Sequence, residues 1–62
     1  MTGKTWQVTF GSVALPCRDE TDARLLAREL VKNGHRVAAN TLTNVSPPRR
    51  IESHQIEAWL YE

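Results

Sequence analysis

From Trp6 to Cys17 apolar and polar residues alternate on both sides of a central Gly11-Ser12 pair. This stretch constrains the fold more than any other, because side chains on a strand change faces with a period of two. A two-residue turn with glycine first suits type II′ geometry, whose twist matches that of the flanking strands. The turn then sets the register: Phe10 opposite Val13, Val8 opposite Leu15, Trp6 opposite Cys17. All six side chains share one face. A hairpin with one apolar and one polar face needs a second layer over the apolar side.

Between Asp19 and Asn33 the period changes from two to 3.6. Ala23, Leu26, Ala27, Leu30 and Val31 fall on one stripe at spacings of three and four, as on a helix lying on an apolar surface. Asp19 is placed to cap the N-terminus, with Glu20 and Asp22 in the first turn. Lys32 sits at the negative end, and Gly34 is placed to take the left-handed position just past it.

After Gly34, residues His35 to Leu42 read as a third strand. Asn44 to Arg50 reads as an exposed loop, because Pro47 and Pro48 remove two backbone donors. The C-terminal segment admits two readings. As a strand, Ile56, Ala58 and Leu60 share one face while Trp59 and Tyr61 share the other. As a helix begun by Ser46 and Pro47, it scatters Ile51, Ile56, Trp59, Leu60 and Tyr61 almost all round the axis at ~100° per residue. The strand is preferred on that ground. The whole chain, 1–62, is then expected to form a single small α+β domain. Its fold class is a two-layer sandwich in the order β-β-α-β-β: a four-stranded, mainly antiparallel sheet with one helix on one face.

The segment Asp22 to Val37, preceded by a Trp-containing strand and followed by another, resembles small regulatory domains of the ferredoxin-like class. The likeness covers about a quarter of the chain and carries no functional residue across.

At 62 residues the chain buries only about 60% of the surface its unfolded form exposes, so association would help it. One cysteine rules out an internal disulfide, and no Cys/His spacing suggests a metal; no cofactor is expected. A homodimer is expected instead. Eight basic and seven acidic side chains give a formal charge of +1, too little to steer nucleic acid or anionic lipid without local clustering. No apolar run of membrane length and no signal-peptide pattern is present, so a cytoplasmic location without membrane association is the expectation. A bacterial or phage accessory protein fits this size and composition.

Three side chains stand out as candidates for partner binding. Leu25 falls near the middle of the outward helix face, between Arg28 and Lys32 on one side and Glu29 on the other. Trp59 and Tyr61, if extended, lie on the uncovered side of the sheet, where large rigid aromatics serve as interface anchors. A lone exposed leucine needs no explanation, and a flipped register would put the aromatics in the core.

The alternative is a nucleic-acid surface made by Arg24, Arg28 and Lys32 on one helix flank together with Arg49 and Arg50 in the loop. Against it, Glu20 stands four residues before Arg24 as an ordinary helix ion pair, and the acidic first turn repels phosphate. The Pro-Pro-Arg-Arg stretch reads as a rigid connector before it reads as a proline-rich ligand. Cys17 reads as a core residue, and no Gly-rich phosphate loop or paired-carboxylate motif appears. The expectation is a non-enzymatic interaction or regulatory module, homodimeric, docking a protein partner through the uncovered sheet face.

Overall fold

In the computed structural model, which describes residues 3–62, the hairpin forms in the expected register. Strands β1 (Trp6–Phe10) and β2 (Val13–Cys17) pair antiparallel, with Trp6 opposite Cys17, Val8 opposite Leu15 and Phe10 opposite Val13. Gly11 has φ of 58°, and no non-glycine residue described has a positive φ. Ser12 is therefore outside the left-handed region, which excludes a type I′ turn and leaves the glycine-first geometry.

Helix α1 (Glu20–Lys32) begins and ends where its signals place it. The Asp19 carboxylate accepts the Asp22 N–H at 2.9 Å, satisfying one of the helix's free donors. At the other end Gly34 takes φ of 86°. Its N–H donates to the Val31 carbonyl and that of His35 to the Leu30 carbonyl, both at 3.0 Å. This is the Schellman closure. The apolar stripe faces the sheet: Ala23 and Ala27 are fully buried, with Leu26, Leu30 and Val31 packed around them. Two alanines one turn apart let the helix axis approach closely above Val8, which is also sealed from solvent.

Strand β3 (Val37–Thr41) pairs antiparallel with β1, and the two-residue β4 (Arg50–Ile51) pairs antiparallel with β3. The sheet order is β2-β1-β3-β4. The four-stranded antiparallel sheet with a helix packed on one face is thus the predicted fold class. The arrangement differs from the βαββαβ order of the ferredoxin-like class, since two hairpin strands precede α1.

The C-terminal residues overturn the strand expectation. Only Arg50 and Ile51 form a strand; Ser53–Gln55 form a 3₁₀ turn and Ile56–Leu60 a short helix, α2. Ile51 belongs to β4, and Tyr61 lies beyond the helix in solvent. The residues left, Ile56, Trp59 and Leu60, are spaced i, i+3, i+4 and form a coherent stripe. The helix also starts later than Ser46: the Glu52 N–H donates to Gln55 Oε1 at 3.0 Å, half of a capping box.

α2 extends the helical layer beside α1 and seals the core. Trp59, 1% exposed, stacks on Trp6 with ring centroids 5.4 Å apart and planes 19° apart. The opposite side of the sheet is uncovered. Alternation places Ala14 and Pro16 of β2, Gln7 and Thr9 of β1, Ala38 and Asn40 of β3 and Arg50 of β4 on it. On the outermost strand, Pro16 lies three positions from the turn-closing pair. There the ladder's alternation turns its nitrogen away from β1, so the missing donor blunts the free edge.

Candidate interaction surfaces

The five basic residues named for a phosphate surface separate once folded. Arg24 and Arg49 belong to a closed ring of alternating charges with Glu20 and Glu62. Arg24 Nη2 pairs with Glu20 and Glu62 at 3.0 Å each; Arg49 pairs with the same two carboxylates at 3.0 and 2.8 Å. One oxygen, Glu20 Oε2, accepts from Arg24, from Arg49 and from the Trp59 indole N–H, all at 3.0 Å. The Arg24 guanidinium lies 5.4 Å from the centroid of the Trp59 ring. Hydrogen bonding to Glu62 raises the Arg49 pKa above its ordinary value, with desolvation acting against it and the charges of Glu62 and Glu20 acting with it. The ring ties the start of α1 to the loop before β4 and to the end of α2.

Arg28 and Lys32 form the second group. Both are exposed, and neither has an acidic partner within ion-pair distance among the described residues. Arg50 pairs with Glu52 at 2.7 Å on the uncovered sheet face. The five arginines and lysines named for a phosphate surface are therefore dispersed: two in the ring, two on the helix, one on the sheet.

The residues named for partner binding also separate. Trp59 is a core residue, which corrects the expectation that it lies on the uncovered face; the helical turn directs it inward. Tyr61 is 82% exposed and Leu25 59% exposed, both on the helical layer. Among the described residues, the uncovered sheet face carries no large aromatic or aliphatic side chain.

Cys17 is 2% exposed, and burial raises its thiol pKa, helped by the nearby Asp22 carboxylate. The histidines are exposed and remote from it in the fold: His35 packs its ring 5.1 Å from Phe10, and His54 lies in the 3₁₀ turn. Among the described residues no three His, Cys, Asp or Glu side chains are grouped to hold a metal ion. No described helix is long and apolar enough to cross a membrane.

Sequence reasoning missed the ring, whose partners stand up to 38 residues apart and, beyond the Glu20 and Arg24 pair, have no local signature. Nor did the sequence signal Ser53, or the hydrogen bond of 3.1 Å that Arg36 makes to it at the rim of the uncovered face. Arg36 was findable, since it continues the 36, 38, 40 alternation of β3. No family model, curated protein or solved structure matches this chain.

Proposed function

We propose that this chain is a small non-enzymatic interaction module that works as a homodimer, two copies meeting through the outer face of α1. Leu25 carries the reading: it is 59% exposed in the middle of that face, where burial against a second copy would remove it from water.

Charge selects the arrangement. At about 100° per residue, Arg28 and Lys32 lie to one side of Leu25 and Asp22 and Glu29 to the other. All four are exposed. Two helices related by a twofold axis along their length bring the basic flank of each copy against the acidic flank of the other. An antiparallel pair would place Glu29 against Asp22 instead, like against like. Opposite charges favour the first arrangement and disfavour the second. Tyr61, on the same layer, adds a rigid amphipathic ring of the kind enriched in interfaces.

Sedimentation equilibrium on a charge-swap series tests this. Arg28→Glu and Glu29→Arg should each weaken dimerisation by about tenfold, since each contact occurs twice in the symmetric pair and an exposed pair contributes up to ~1 kcal/mol. The double variant restores opposite charges across the axis and should recover wild-type association. A wild-type chain that stays monomeric, or a double variant no better than the singles, contradicts the proposal.

A further inference from the structure

The uncovered sheet face has a depression of about 340 Å³ at its hairpin end. Its floor is low because the side chains there are small: Thr9 and Ala38 form a cross-strand pair, and Gly11 has none. Phe10 borders it only at the turn, its side chain directed to the covered face, while Arg36, Glu52 and Ser53 form the rim.

The rim has a built donor group. Arg36 Nε donates to Ser53 Oγ at 3.1 Å, which uses one of the guanidinium's five N–H groups and restrains its plane. The other four have no acceptor among the described residues, and Arg36 takes part in none of the ion pairs found there. Ser53, accepting from Arg36, keeps its own hydroxyl proton to donate. Glu52 is held by Arg50 at 2.7 Å.

We propose that this depression binds a small monocarboxylate with an apolar body, its carboxylate against Arg36 and Ser53 and its body over Ala38, Gly11 and the Thr9 methyl. A planar guanidinium presents two parallel N–H groups that match the two oxygens of a carboxylate. The floor decides between oxyanions: an apolar body gains by leaving water over Ala38 and the Thr9 methyl, a gain that a fully hydrated phosphate lacks. The volume lies at the small end of the ~300 to 1,000 Å³ spanned by ligand pockets, which suits a body the size of one aromatic ring. This site is on the opposite layer from the α1 dimer face and stands independently of it.

The test is a ¹⁵N NMR titration of the folded chain with sodium benzoate, sodium acetate and sodium phosphate at constant ionic strength. With benzoate, the Gly11, Ala38 and Ser53 amide signals should move together along one saturable curve, with a dissociation constant on the order of millimolar. Acetate and phosphate should bind more weakly. Arg36→Gln should weaken benzoate at least about tenfold, as expected for loss of a charged hydrogen-bond donor. Glu52→Gln should strengthen it about threefold by removing the opposing charge. That gain cannot come from a damaged fold. Non-saturating shifts, shifts centred on Arg28 and Lys32, phosphate binding tighter than benzoate, or indifference to Arg36→Gln would each overturn the assignment.

Discussion

Replacing Trp59 with alanine should nearly abolish folding. The side chain is 1% exposed and stacked on Trp6, and removing a buried Trp costs about 3 to 5 kcal/mol through lost transfer energy and the cavity left behind. A 62-residue domain has only about 3 to 9 kcal/mol of total stability at typical per-residue values. Trp59→Ala therefore removes most of it. Trp59→Phe separates the contributions: an aromatic ring still stacks on Trp6, but the N–H donated to Glu20 is gone. That bond reaches a charged acceptor that is partly solvent-exposed, so its loss should cost about 1 to 2 kcal/mol. The assay is urea unfolding followed by far-UV circular dichroism. With a slope of about 1 kcal/mol per molar for a chain this small, Trp59→Phe should lower the midpoint by about 1 to 2 M. Trp59→Ala should be largely unfolded without denaturant. A surface Trp would cost less than about 0.5 kcal/mol in either variant. Finding Trp59→Ala cooperative and within that margin of wild type would refute its place in the core.

Three further outcomes follow from single residues. Gly34→Ala should destabilise the chain by about 1 to 2 kcal/mol in the same urea assay, because φ of 86° is unfavourable for any residue with a Cβ. Glu20→Gln removes the charge shared by Arg24, Arg49 and Trp59; it should cost about 1 kcal/mol at low salt and less in 1 M salt, seen as a salt-dependent midpoint difference from wild type. Cys17 should react slowly with a thiol reagent in the native state and rapidly in urea. Because burial raises its folded pKa, the unfolded chain loses the proton first as pH rises, so stability is retained below the ordinary thiol pKa and declines above it. A Cys17→Ala variant should lack that decline, measured by unfolding between about pH 8 and pH 10.

What was legible in the sequence follows from the range of the interactions. The Gly11-Ser12 turn fixed register over residues adjacent in sequence, and all three expected facing pairs are present. Asp19 and Gly34 marked the ends of α1 because caps act within four residues. The exposure of Leu25 followed from the same helical period that buried Ala23 and Ala27.

The C-terminus was misread because a window from Ile51 to Tyr61 mixes three environments: a strand residue, a helix stripe and a solvent-exposed ring. Taken together those apolar residues fall all round a helix axis; taken without Ile51 and Tyr61 they line one side of it. That error moved Trp59 from the interior to a surface it does not occupy. The Glu20, Arg24, Arg49 and Glu62 ring was not legible, since only the Glu20 and Arg24 pair is local and the rest depends on how α2 lies beside α1.

The homodimer is tested most directly by light scattering on the eluting peak of a size-exclusion column, loaded over a wide range of concentrations, for wild type and Leu25→Glu. The expected result is a wild-type mass twice that of one chain which falls on dilution, with Leu25→Glu at the mass of one chain and folded as judged by circular dichroism. A wild-type chain of single mass at the highest loading, or a Leu25→Glu variant that still elutes as a dimer, would contradict pairing through α1.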